Sequence, residues 1–268
     1  MKVRSILLTG DDGYNSIGTR LLARLLRKNF EVCIAATKEQ QSGMGGKINL
    51  KGGDWGETHI EEVPALWIDG SPVDAVEAAV NHYGQDFDLV ISGINLGANV
   101  AGSIISSGTF SAAFRALNLG FVKHGLALSW NIPTQYWFKK HSADESLDAY
   151  LEYPGKTAAQ VIKLAIDNEL WQAPLLNINF PEEKSNQIVF TQPLDNLNGY
   201  FKAVELDREP QRFRYPAEIT EYQQTDPHID VFALQNGLIS ITPCRADFLN
   251  PAVYQEVHDL TYQLNKDE

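Results

Sequence analysis

The chain has 268 residues, enough for one large α/β domain or two small ones, and its 44% hydrophobic and 21% charged residues are an ordinary globular balance. A net charge of −12 and a pI of about 4.9 disfavour nonspecific binding to nucleic acid polymers or anionic membranes, but not to a small anion held by a metal ion and backbone N–H groups. No stretch approaches the roughly 18 apolar residues of a membrane span, and the apolar run around Lys2-Val3-Arg4 is too short for a signal peptide, so a cytoplasmic location is expected.

The first apolar run, 5–9, reads as a strand. It ends in Gly10-Asp11-Asp12-Gly13, and a helical pattern over 17–28 follows at once. Ligands of open α/β sheets sit beyond the carboxyl ends of strands. Two adjacent carboxylates there are costly unless a hard divalent cation lies between them. Further strand-like runs fall at 32–36, 66–68, 89–92, 126–129 and 175–178, with helical patterns at 73–81, 109–119 and 156–170. Strands alternating with helices argue for a mainly parallel sheet covered on both faces. Residues 136–147 read as an exposed loop. After Pro181 the helix period is lost, and β-like pieces at 188–191, 200–204, 212–215, 231–234 and 238–242 suggest hairpins projecting from the sheet. Such an arm would expose Tyr200, Phe201, Phe213 and Tyr215 unless a partner covers them. A terminal helix is expected over 251–264. Residues 1–180 thus read as the core and 181–268 as an arm plus helix of the same domain.

Four polar or glycine-rich loops follow strands: Gly10–Gly13, a second containing Ser42-Gly43, a third running Ser92-Gly93-Ile94-Asn95-Leu96-Gly97-Ala98-Asn99, and Ser107-Gly108-Thr109 at a helix start. In a parallel sheet the first three share one edge and offer carboxylates, a hydroxyl and amides. These hard oxygen ligands suit Mg²⁺, Mn²⁺ or Ca²⁺ better than Zn²⁺. Free N–H groups and hydroxyls at Ser107, Gly108 and Thr109 favour a phosphate. Each loop taken singly also reads as ordinary turn or capping chemistry; their recurrence after successive strands raises the functional reading. No P-loop, Gly-x-Gly-x-x-Gly, Gly-x-Ser-x-Gly or His-x-x-x-His pattern is present. Cys33 and Cys244 lie in apolar stretches and read as core thiols.

These residues resemble the SurE family, the stationary-phase survival proteins. The resemblance runs from Ile6 to about Asp247, on Asp11-Asp12-Gly13, Gln41-Ser42-Gly43, Gly70-Ser71-Pro72-Val73-Asp74, the Ser92–Asn99 block, Ser107-Gly108-Thr109 and Ser240-Ile241-Thr242-Pro243, all in the family's order. It implies a three-layer Rossmann-like core with a projecting β-hairpin and a C-terminal helix that exchange between subunits of a homodimer or tetramer. It also implies a metal-dependent nucleoside monophosphate phosphatase, with one divalent ion held by Asp11, Asp12, Ser42 and Asn95. Asp11 and Asp12 would then be catalytic, and Asn99, Ser107, Gly108 and Thr109 would bind phosphate.

The chain departs from the family pattern at Gly10 (usually Asn), Lys38-Glu39 (usually Asp-Arg), Ala101-Gly102-Ser103 (usually Gly-Asp-Asp), Ser106 (usually Tyr) and Arg115 (usually Glu). Losses around metal ligands typically cost about 10- to 100-fold in affinity or activity. Two other readings therefore stay open: a catalytically weakened or silent relative that binds nucleotide or phosphate, and a phosphatase acting on polyphosphate or a sugar phosphate.

Overall fold

The computed structural model describes residues 2–84, 86–171, 173–195, 202–216 and 226–245. The helix expected over 251–264, and Tyr200 and Phe201 of the arm, lie outside the described residues.

Eleven strands are described: β1 (Ser5–Thr9), β2 (Glu31–Thr37), β3 (Trp55–Ile60), β4 (Val63–Ile68), β5 (Leu89–Leu96), β6 (His124–Trp130), β7 (Leu175–Phe180), β8 (Ile188–Phe190), β9 (Glu205–Arg208), β10 (Gln211–Arg214) and β11 (Ile239–Cys244). Nine of them form one sheet in the order β3-β4-β2-β1-β5-β6-β7-β11-β8. Strands β4, β2, β1, β5, β6 and β7 are parallel to one another; β3 on β4 and β11 on β7 are antiparallel. The chain winds outward in one direction through β2 and β4, then returns to the other side of β1 with β5. Strand order therefore reverses between β1 and β5, the place where open α/β sheets bind ligands.

Alternation along β1 feeds two cores. Ile6 and Leu8 pack with Leu22, Ala23 and Leu26 of α1 (Ile17–Leu26) and with Val161, Ile162 and Ala165. Leu7 faces the other way, onto Val76 and Ala79 of α2 (Pro72–Tyr83) and Ala112, Ala113 and Ala116 of α3 (Gly108–Asn118). With α4 (Thr157–Asp167) beside α1, the result is a sheet between two helical layers. The helix starts follow local chemistry. Ser16 caps α1 by accepting from the Thr19 N–H at 3.2 Å, and Ser71 forms a reciprocal capping box with Asp74 ahead of Pro72. At Gly18 a Cβ would collide with the Ile94 carbonyl, so only glycine lets α1 sit this close to β5.

Three sequence expectations are corrected. The stretch 231–234 is not a strand but lies in a short helix, α5 (Asp230–Gln235), whose Val231, Phe232, Ala233 and Leu234 are all buried. A short apolar run has no period that separates strand from buried helix. Residues 136–147 are only partly exposed: Leu147 is buried with Ile17 and Leu21, and the Arg20 guanidinium donates to the carbonyls of Ser142 (3.1 Å) and Glu145 (2.8 Å). Past Pro181, among the described residues, only β9 and β10 form a hairpin apart from the main sheet, whereas β8 and β11 complete that sheet. The hairpin's strands are exposed throughout, including Leu206 and Phe213.

Candidate functional site

The loop after β1 is pinned to the loop after β2. The Asp11 carbonyl accepts from the Gln41 N–H (2.7 Å), and the Thr37 carbonyl accepts from the Tyr14 N–H (2.8 Å). The second loop is tied in turn to the approach to α3, where the Ser106 carbonyl accepts from the Gly45 N–H at 3.0 Å. A bulge in β5 between Ser92 and Asn95 re-aims the chain as it leaves the sheet. The result is a cavity of about 520 Å³ lined by Asp11, Ser42, Asn95, Asn99 and Ser107, with Trp137, Phe138 and Tyr215 at its rim. A larger cavity of about 790 Å³ between α1 and α4 is lined by aliphatic side chains, lysines, Asp167 and Glu169, and none of the loop residues singled out in the sequence falls in it.

Asp11 and Asp12 are 4% and 6% exposed. Asp11 accepts from the Thr109 hydroxyl. Asp12 uses one oxygen for the Leu96 N–H (2.9 Å) and the other for the Gln40 side-chain amide (3.2 Å). Burial raises both carboxyls above the usual carboxylate range, and the Asp11 charge adds to this at Asp12, which is pushed up to about 7. Among the described residues neither forms an ion pair. The Asn95 amide donates to the Gly97 carbonyl at 2.8 Å, which leaves its buried Oδ1 as an unused acceptor. Two buried carboxylates, an unused amide oxygen and the adjacent Ser42 are a donor set that fits a hard divalent cation. The set is all oxygen, without the nitrogen or sulfur ligands that favour zinc.

At the helix start Ser107 is the cap of α3, accepting from the Phe110 N–H at 3.0 Å. Gly108 stands against Asp11: a Cβ there would lie 2.8 Å from Asp11 Oδ2, so the carboxylate and the helix end can meet only because residue 108 lacks a side chain. Asn99 lines the cavity with its own groups engaged. Its amide donates to Ser129 Oγ (2.8 Å), its N–H to Asn179 Oδ1 (2.8 Å), and its carbonyl accepts from Asn177 (2.8 Å) and Asn179 (3.0 Å). The loop geometry thus brings Asp11, Asp12, Ser42, Asn95, Asn99, Ser107, Gly108 and Thr109 to one edge of the sheet.

Sequence reasoning missed Gln40, Trp137, Phe138 and Asp230. Gln40 joins Asp12 to the Trp137 carbonyl. Asp230 supports the third loop from behind, accepting from the N–H groups of Ala101 (2.7 Å), Leu194 (3.0 Å) and Val231 (2.8 Å). None of these follows from local motif spacing; each acts across the fold.

Residues 6–198 match the family model for survival protein SurE. The chain belongs to the SurE family. It is 34% identical over 249 residues to 5′-nucleotidase SurE of Methanopyrus kandleri, covering 90% of this chain and 91% of the relative. With 5′-nucleotidase SurE of Cytophaga hutchinsonii it shares 29% identity, covering 98% and 96%. The crystal structure of the SurE protein from Aquifex aeolicus superposes with a TM-score of 0.72 at 24% identity, covering 94% of this chain and 98% of that one, and shows that the fold is shared.

Against that family the departures acquire structural roles. Lys38 lies 4.8 Å from the centre of the Trp67 ring, and Arg115 is ion-paired with Glu77. Ala101 adopts a φ of +56°, a left-handed conformation that glycine takes at less cost. At Gly10 a Cβ would meet only ordinary contacts, at 3.5 Å from the Gly93 nitrogen, so nothing in the backbone demands glycine there.

Proposed function

We propose that the protein is a metal-dependent phosphomonoesterase that hydrolyses nucleoside monophosphates to nucleoside and phosphate, a 5′-nucleotidase. The observation that carries this reading is the buried Asp11–Asp12 pair at the strand-order reversal, with Asp11 lining the cavity that Ser42 and Asn95 also line and Asp12 bonded to the Leu96 N–H beside it. Relatives named 5′-nucleotidase that align over nine-tenths or more of the chain support it.

Asp11, Asp12, Ser42 and Asn95 would hold one divalent ion per subunit, Mg²⁺ or Mn²⁺, with Ca²⁺ able to take the same oxygens. The chemistry supplied by such an ion is polarisation of a phosphoryl oxygen and activation of a water molecule near neutral pH. The protein's part is placement. Thr109 fixes Asp11, and Leu96 and Gln40 fix the two oxygens of Asp12, so the pair is oriented before substrate arrives. Ser107, Gly108, Thr109 and Asn99 form the phosphate end.

The assembly proposed is a single domain, with the exposed hairpin and the C-terminal segment joining subunits into a homodimer or tetramer. The hairpin's exposed Leu206 and Phe213 support this. Among the described residues no helix is long and apolar enough to cross a membrane; the location proposed is the cytoplasm.

The test is phosphate release from AMP and GMP by purified protein with Mn²⁺ or Mg²⁺, against a chelator control. Chelator-sensitive release is expected. Binding of the ion by folded protein without release from any nucleotide would overturn the assignment.

A further inference from the structure

Two kinds of side chain line the cavity. Asp11 and small polar residues are one. The other is aromatic: Trp137, Phe138 and Tyr215, with Phe138 66% and Tyr215 73% exposed. Exposed aromatic faces at the mouth of a wet cavity lack the packing that holds such side chains in a core.

The aromatic lining is built into the site, not draped over it. The Trp137 indole N–H donates to the Ile132 carbonyl at 2.9 Å, and its ring packs over Gly97, where a Cβ would come 3.1 Å from it. The Trp137 carbonyl accepts from Gln40, the same amide that donates to Asp12. One side chain therefore sets the register between the carboxylate pair and the aromatic rim. Tyr215 reaches the rim from the segment just after β10, in edge contact with Phe213 at 6.2 Å between ring centres. The volume of about 520 Å³ lies within the range of pockets that enclose small organic ligands.

We propose that Trp137, Phe138 and Tyr215 form the nucleobase subsite, a stacking platform for the planar base of a nucleotide whose phosphate lies at the Asp11–Asp12 end. This rests on the reading of the cavity as a nucleoside monophosphate site. Every base has a π-face, so stacking tolerates base identity, and purines, with the larger face, gain most. Substrates lacking a base forgo this subsite entirely.

The test compares AMP with ribose 5-phosphate, which keeps the phosphate and sugar and lacks the base, for the wild type, F138A, Y215A and the double variant. The ratio of kcat/KM for AMP to that for ribose 5-phosphate should fall about 10-fold in F138A, further in the double variant, and recover in F138W. An unchanged ratio overturns the proposal, as does an equal fall on both substrates. Contact between two copies of the chain at this rim would show as a mass change in F138A with an unaltered ratio, and also overturns it. If the wild type hydrolyses neither compound, the phosphatase reading fails, and equilibrium binding of the same two compounds still decides the subsite. Tighter AMP binding that F138A abolishes supports it; equal affinity for the two compounds in the wild type refutes it.

Discussion

Asp230 and the Asp11–Asp12 pair are the same residue type at nearly the same burial, 0% against 4% and 6% exposed, and burial raises all three carboxyls. Their partners differ. Three backbone N–H groups occupy Asp230, one on Oδ2 and two on Oδ1, in a region packed by Val100, Val231 and Phe232. Asp11 and Asp12 are adjacent, repel each other and have a cavity beside them. Burial alone does not mark a functional carboxylate. What distinguishes the pair is two adjacent charges beside a cavity, each raising the cost of the other.

The sharpest way to break this contrast is to remove the charge at each place. D12N should lower kcat for AMP by about 1,000-fold or more at saturating metal, since several kcal/mol of charge stabilisation is at stake, with thermal stability little changed because Gln40 can turn its amide oxygen to the new N–H₂ and the repulsion from Asp11 is relieved. Retained turnover would show that the pair is merely another buried carboxylate site. D230N should do the reverse. It sets an amide N–H₂ against one of the donated N–H groups, which costs about 1–3 kcal/mol and lowers Tm by several degrees in calorimetry, while turnover per folded molecule survives.

A fourth ionisable group, half-buried, sharpens the comparison. His141 shares a small cavity with Asp12, and burial pushes it from 6.5 down to about 4; Glu145 opposes the shift, while Lys139 and Arg20 add to it. Unfolding restores the ordinary value. Between pH 6.5 and 4 the unfolded chain then binds more protons than the folded one, so stability present above pH 6.5 is lost as pH falls towards 4. Denaturant midpoints at pH 7 and pH 5 should differ less in H141Q than in the wild type. The smallest effect is expected behind the site, where Ala101 holds its left-handed conformation while donating to Asp230. A101G should raise stability by about 1 kcal/mol, readable as a small rise in Tm.

Much of the core was legible because the strands flanking the site are short apolar runs and their helices carry the 3.6-residue period. Strand β3 was not. It is an edge strand with alternating exposure, and its turn into β4 uses Glu61 and Glu62 at φ of 51° and 64°, where Gly or Asn would have signalled a hairpin. That turn is held instead by ion pairs reaching across from α1: Arg20 and Arg24 to Glu61, and Arg27 to Glu62. The candidate ligand residues were legible for a similar reason to the core. They sit in four short loops, each following its own strand or opening its own helix. Gln40 and Trp137 were not, because the link they make runs between residues 97 apart in the chain and exists only once the loop at 131–147 has folded over the cavity.

The close approach at Gly18 has a consequence for mutational tolerance. A methyl group there would strike the carbonyl of Ile94, the residue immediately before Asn95. No side-chain rearrangement relieves a clash with backbone, so helix and ligand loop would have to part. A saturation scan should therefore find Gly18 about as intolerant as Asp12, although it contributes nothing to the cavity.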